Sequence, residues 1–197
     1  MGDIFLGFDP GGRDKFGCSA IRLIGDGLVE VVNAECVRDA KTAIEWANAH
    51  SAIAAAGIDT LLGWSFSGSR TCDATLRQRY PGHRNSVIEQ NSLYSAMTLN
   101  GAMVAANLHL RKTPLCEAHP KLLLKAYDGH SLLAPLQAGL QKLKLSSKTP
   151  KQADDKCDAT VAAWAAACWY SGRWKIDLFS GDDLWFPAWK ARYPWPD

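Results

Sequence analysis

The sequence predicts an α/β fold built on a mixed sheet with helices on both of its faces, and three observations carry this. Residues 4–8, Ile-Phe-Leu-Gly-Phe, have the short, apolar, aromatic-rich character of a buried strand, and the following Asp9-Pro10-Gly11-Gly12 breaks it. Two further strand-like runs, 16–24 and 28–37, flank Gly25-Asp26-Gly27, a strong hairpin signal, so the first three strands read as an antiparallel meander. The later strand-like runs, 58–64 and 115–118, are each reached through a helical segment, and such crossovers join parallel strands.

The elements follow in order. Asp39 is a suitable N-cap, and the Ala-rich stretch 40–56 reads as a helix that Gly57 ends. Residues 58–64 form the fourth strand and 65–69 a polar loop. A short helix is expected over 71–80 and a longer one over 92–110, which Thr113-Pro114 breaks. The fifth strand is Leu115-Cys116-Glu117-Ala118, and His119-Pro120 opens the next helix. Further helices are expected over 132–143 and 154–169, separated by a basic loop at 146–151; the second is acidic at its start and almost wholly apolar afterwards. Gly172 closes it. A single domain is expected, with its core over about residues 1–175 and a Trp- and Pro-rich tail, 176–197, packed on it.

Composition excludes several classes. The chain has 197 residues, 47% of them hydrophobic and 21% charged, which is ordinary for a soluble globular protein. No apolar run approaches the roughly 20 residues of a membrane span, so no membrane association is expected. No basic segment followed by an apolar one opens the chain, so a cytoplasmic location is expected. The six cysteines form no C-x-x-C pair and match no zinc module, and they read as buried, reduced thiols. Cys116, close before His119, is the one candidate nucleophile among them.

The acidic residues carry the chemistry. Asp9 ends the first strand and faces the crevice where ligands bind in open α/β sheets. Asp59 stands in the fourth strand beside Ile58 and Leu61, where a charged group needs a partner. Asp155 and Asp158, three apart, share a helix face, and Asp154 is one turn from Asp158, so spacing barely separates 154 from 155. Glu117 in the fifth strand is a further candidate. Converging carboxylates suit hard cations such as Mg²⁺ or Mn²⁺, and two such ions about 4 Å apart can clamp a phosphodiester displacement. The plainer reading of Asp154, Asp155 and Asp158 is compensation of the helix dipole in the first turns.

The segments G-F-D-P-G at 7–11, G-I-D-T-L-L-G-W at 57–64, R-T-C-D-A-T-L-R at 70–77, C-E-A-H-P-K at 116–121 and D-D-K-C-D-A at 154–159 together resemble the RNase H-like superfamily. The resemblance is to its Holliday-junction-resolvase (RuvC-like) branch, and most closely to a group of uncharacterised predicted RNase H-like nucleases. It implies an RNase H-like mixed five-stranded sheet. It also implies a metal-dependent nuclease with Asp9, Asp59, Asp155 and Asp158 as catalytic metal ligands for two Mg²⁺ or Mn²⁺ ions, and nucleic acid as partner. Glu117 and His119 would support the site. Two departures stand out: the branch tends to carry Glu in the fourth strand, where this chain has the shorter Asp59, and often His where this chain has Asp154. Resolvase-like action would call for a homodimer.

Arg70, Asp73 and Arg77 form a second cluster; Asp73 and Arg77 are spaced for a surface i, i+4 pair, and the arginines are candidates for phosphate contact. Between His109 and Lys156 nine lysines and arginines face four acids, a local excess that suits a polyanion. The main alternative is a catalytically inactive RNase H-like module that binds nucleic acid or a protein partner. An actin-like phosphotransferase would need two such domains, and no G-x-G-x-x-G follows the first strand to support a dinucleotide fold.

Overall fold

The computed structural model describes residues 2–24, 28–66, 69–87, 95–128, 131–181 and 184–197. Strands β1 (Ile4–Asp9), β2 (Phe16–Ile24) and β3 (Leu28–Val37) form the expected antiparallel meander. The Gly25-Asp26-Gly27 turn lies outside the described residues. Helix α1 (Ala40–Asn48) starts where Asp39 accepts a hydrogen bond from the Thr42 N–H at 2.9 Å. It ends much earlier than the Ala-rich pattern predicts.

Strand β4 (Ile53–Ile58) takes the Ala-Ala-Ala-Gly run that reads as helix in the sequence. Alanine favours helix only weakly, and burial in the middle of a sheet overrides that preference. Ala52, in a left-handed conformation at φ 55°, separates the two elements. The fourth strand therefore lies over 53–58 rather than 58–64, and Asp59 is the first residue beyond its carboxyl end instead of a residue within it.

The remaining elements are β5 (Trp64–Ser65), α2 (Thr71–Arg79), a 3₁₀ turn (Pro81–Ser86), α3 (Ser95–Leu110), β6 (Leu115–Glu117), α4 (Pro120–Ala126), a second 3₁₀ turn (Ser131–Leu133), α5 (Ala134–Ser146), α6 (Pro150–Tyr170), β7 (Ile176–Asp177), β8 (Leu184–Trp185) and β9 (Pro194–Trp195). Residues 92–94, expected at the start of α3, lie outside the described residues. The main sheet has the order β3-β2-β1-β4-β6, with β4 parallel to β1 and β6 parallel to β4.

Helix α6 begins at Pro150 rather than at 154, because Thr149 caps it by accepting from the Gln152 N–H at 3.2 Å. Asp155 and Asp158 consequently sit beyond its first turn, where a dipole effect that fades within that turn does not account for them. The helix lies directly on the sheet. A Cβ on Gly7 would come 1.9 Å from the Ala159 carbonyl oxygen, one on Gly57 2.0 Å from that of Ala162, and one on Gly17 2.2 Å from that of Asp155. Buried Ala159, Ala162 and Ala163 complete the close contact from the helix side. On the opposite face Phe8 meets Trp46 of α1 edge to face at 6.0 Å, and α3 packs beside α1 over β4 and β6. Helices therefore cover both faces.

The C-terminal segment runs along the outer edge of β6. The Arg192 N–H donates to the Leu115 carbonyl at 3.1 Å and the Glu117 N–H donates to the Arg192 carbonyl at 2.7 Å. This pairing covers an otherwise open strand edge. Tyr193 and Trp195 are buried with the core, and the Trp195 Nε1–H donates to Tyr80 Oη at 3.0 Å.

Gly7→Val should lower the unfolding free energy by about 3 kcal/mol, since the helix backbone must move aside for the new side chain. Urea denaturation of the purified variant checks this.

Candidate metal centre

The parallel pairing of β1 and β4 sets Phe8 against Ile58, which brings their carboxyl ends side by side. Asp9 closes β1, and the Asp59 N–H donates to the Phe8 carbonyl at 2.9 Å. Asp158 arrives from α6. One carboxylate oxygen from each of Asp9, Asp59 and Asp158 lies within 4.8 Å of the other two. The shorter side chain of Asp59 reaches the cluster because its backbone stands just past the strand end.

The helix also separates 154 from 155. Asp154 is exposed, whereas Asp155 is buried on the face turned to the sheet. Asp155 lies outside the three-carboxylate group and its Oδ1 pairs with Lys151 Nζ one turn earlier. Among the described residues, Asp155 Oδ2 and Asp158 Oδ2 have no hydrogen-bond partner. The closest cation recorded for Asp158 is Lys121 Nζ, 4.0 Å from Oδ2.

This arrangement resists ionisation. Burial, then the charges of Asp158 and Asp155, push Asp9 up to about 7. Burial also raises Asp158 to about 6, against the pull of Lys121 and Lys151. Asp59 is held well above the usual carboxylate range by burial and then by Asp9 and Asp158. Two buried carboxylates, Asp9 and Asp158, and the partly exposed Asp59 oppose one another's charge, and with an unsatisfied oxygen on Asp158 they fit a hard divalent cation. The donor set is all oxygen, which suits hard cations over softer metals.

His119 places Nδ1 3.9 Å from Asp59 Oδ1. Burial, and next the charge of Arg70, lower its ring to about 4, so it is neutral at pH 7.

Arg70 and Asp73 play a different part from the one their sequence spacing implies, and Glu117 joins them. Arg70 is 2% exposed and donates five hydrogen bonds: Nε and Nη2 to Asp73, Nη1 and Nη2 to Glu117, and Nη1 to the Gly63 carbonyl, all between 2.7 and 3.1 Å. Glu117 Oε2 also accepts from the Leu62 N–H at 2.7 Å. The expected Asp73–Arg77 pair gives way to a buried Arg70–Asp73–Glu117 cluster, because α2 turns Asp73 inward with Arg70 and Arg77 Nη2 bonds the Val87 carbonyl instead. With all five guanidinium donors engaged, Arg70 has none for phosphate. Phe179 and Tyr193 of the tail lie 5.7 and 6.0 Å from its guanidinium carbon. The cluster pins the 59–63 loop that carries Asp59.

Cys116 is fully buried, and burial drives its thiol far above its usual range, which removes it as a nucleophile. Two lysines that sequence reading counts only as part of a basic stretch, Lys121 and Lys151, flank the carboxylates. Their signals are present: Lys121 stands one residue after Pro120 at the start of α4, and Lys151 stands one helical turn before Asp155.

The sheet order, with three antiparallel strands followed by two parallel ones and helices on both faces, is the mixed five-stranded arrangement expected of an RNase H-like fold. No family model and no curated protein matches the chain. Among solved structures it is similar to Thermus thermophilus RuvC, at 16% identity and a TM-score of 0.43 over 86% of this chain and 95% of that one. It is also similar to T. thermophilus RuvC in complex with Holliday junction substrate, at 13% identity and a TM-score of 0.43 over 98% and 99% of the two chains. The yeast mitochondrial Holliday junction resolvase Ydc2 gives 15% identity and a TM-score of 0.41 over 84% of this chain and 78% of that one. Among the described residues no helix is long and apolar enough to cross a membrane.

Two outcomes are expected here. Asp9, Asp158 and Asp59 have folded-state values raised above the ordinary 3.8 and together outweigh His119, whose lowered value acts in the opposite direction, so between about pH 4 and 7 the metal-free folded protein binds more protons than the unfolded chain. Its stability should therefore fall as pH rises through that window, and Mn²⁺ should restore it above pH 7; thermal melts with and without metal read both effects. Arg70→Met should cost about 3–5 kcal/mol, because it strands two buried carboxylates, whereas Glu117→Gln, which keeps hydrogen-bonding atoms in place, should cost less. Chemical denaturation distinguishes the two.

Proposed function

We propose that this protein is a divalent-metal-dependent nuclease that hydrolyses phosphodiester bonds of nucleic acid. The observation that carries the reading is the convergence of the buried Asp9 and Asp158 and the partly exposed Asp59, from two adjacent strand ends and one helix, into a group with an unsatisfied carboxylate oxygen. Asp155, one turn from Asp158 and paired with Lys151, would be the fourth ligand in this reading, for two Mg²⁺ or Mn²⁺ ions. The ions, when bound, supply Lewis-acid polarisation of the scissile phosphate and an attacking water of lowered pKa.

The chain's own residues do the rest. Asp9, Asp59 and Asp158 fix the reacting centre on rigid elements, which limits the reorganisation needed during reaction. Lys121, whose side chain is 53% exposed, holds its ammonium beside Asp158, where it can meet a phosphate oxygen from the solvent side. His119 in its neutral form borders Asp59 without adding charge to the site. The Arg70 cluster holds the loop behind Asp59. The local excess of basic residues between His109 and Lys156 suits a polyanionic substrate once metals neutralise the carboxylates.

The test is cleavage of fluorescent single-stranded, duplex, hybrid and four-way-junction substrates in Mn²⁺. Asp9→Asn should lose at least about 100-fold in rate, the scale on which removal of a key electrostatic group acts. Asp154→Asn, altering an exposed carboxylate, should stay close to wild type. Cleavage retained by folded Asp9→Asn would sink the assignment.

A further inference from the structure

At the far end of α6 from the carboxylates, a groove of about 540 Å³ opens where the C-terminal segment passes the start of β6. Trp169 and Trp189 line it, together with His109, Lys112, Lys190 and Arg192, and no carboxylate does. Lys112 and Lys190 are exposed. Arg192 Nη1 pairs with Asp177 Oδ2 at 3.0 Å, and its side chain stays 60% exposed. The groove therefore combines indole surface with concentrated positive charge, on a chain whose formal net charge is only +2.

Trp189 is held in place. Its Nε1–H donates to the Leu62 carbonyl at 3.1 Å. Its two neighbours, Ala188 at φ 67° and Lys190 at φ 44°, both adopt the left-handed conformation. Such a conformation is unfavourable for an L-residue and persists where the surroundings over-determine it, often at ligand-binding segments. Here it presents an indole and the adjacent ammonium to the same groove.

We propose that this groove binds a single-stranded segment of nucleic acid, with phosphates on Lys112, Lys190 and Arg192 and bases against Trp169 and Trp189. The inference rests on the reading that the substrate is a nucleic acid, and it specifies that the substrate carries a single-stranded portion. Single strands expose base faces to aromatic side chains, whereas a duplex hides them in its stack. An acidic peptide would satisfy the cations but leave the indoles without rings to stack on. From Asp158 to Trp169 the helix rises roughly 16 Å, so a strand held in the groove lies a few nucleotides from the carboxylates. The groove also adjoins the loop that carries the site, because Leu62, which accepts from Trp189, donates through its N–H to Glu117.

The experiment is fluorescence anisotropy with a short labelled oligothymidylate, the same length of duplex DNA and polyglutamate as competitor, in EDTA. Wild type should bind the single strand at least tenfold more tightly than the duplex. The exposed-surface variant Lys112→Ala/Lys190→Ala should lose about tenfold in affinity, and its salt dependence should fall by about 1–2 in log–log slope, as expected for two lost phosphate contacts. Unchanged binding by that variant, equal affinity for duplex, or displacement of the single strand by polyglutamate at equal charge would each overturn the proposal. Because no metal is present, a wild type without nuclease activity still gives the expected result. An active wild type whose lysine variant binds normally refutes the groove alone.

Discussion

The contact on which the structure depends is the bare approach of α6 to the sheet. Gly7 and Gly57, paired across β1 and β4, leave room for the helix backbone where any side chain would collide with Ala159 or Ala162. Gly17 does the same beneath Asp155. Interiors are packed too tightly to absorb a misfit of that size. The consequence for the site is direct. A helix held further from the sheet would leave the Asp158 carboxylate out of reach of Asp9 and Asp59, and their shared oxygens would not fall within 4.8 Å. The same closeness buries Asp9 and Asp158, and that burial is the largest cause of their raised values.

A second buried network supports the first from the neighbouring strands. Arg70, Asp73 and Glu117 satisfy one another and hold Leu62 and Gly63, so the chain after Asp59 has one course. A buried ion cluster of this kind adds little net stability over an apolar core, while loss of one member is costly, so it specifies a geometry more than it strengthens the fold. The C-terminal segment closes over it with Phe179 and Tyr193 and, through Arg192, covers the edge of β6. The tail therefore completes the scaffold behind the site.

Much of this was legible in the sequence, and the failures have physical causes. The meander, the parallel crossovers and the position of Asp9 follow from apolar runs and turn residues. The limits of β4 do not, because an alanine run carries no period of its own and only burial makes Ile53–Ile58 a strand. That misplacement put Asp59 inside a strand, whereas its place beyond the strand end brings it into the cluster. The start of α6 was missed because Thr149, a good cap, precedes a basic stretch that reads as loop. Asp154 and Asp155 are separated only by the roll of the helix against the sheet. The Arg70 cluster joins residues distant in sequence, and no local spacing announces the pairing of Arg70 with Glu117.

The measurement that bears most directly on the central claim is a calorimetric titration of the metal-free protein with Mn²⁺ near pH 7, run in two buffers of different ionisation enthalpy beside Asp9→Asn. Wild type should bind with proton release, because Asp9, pushed up to about 7, loses its proton to the buffer when its carboxylate takes a cation. Asp9→Asn should lose the binding while remaining folded. No binding by wild type at millimolar Mn²⁺, or binding that Asp9→Asn leaves intact, would contradict the claim.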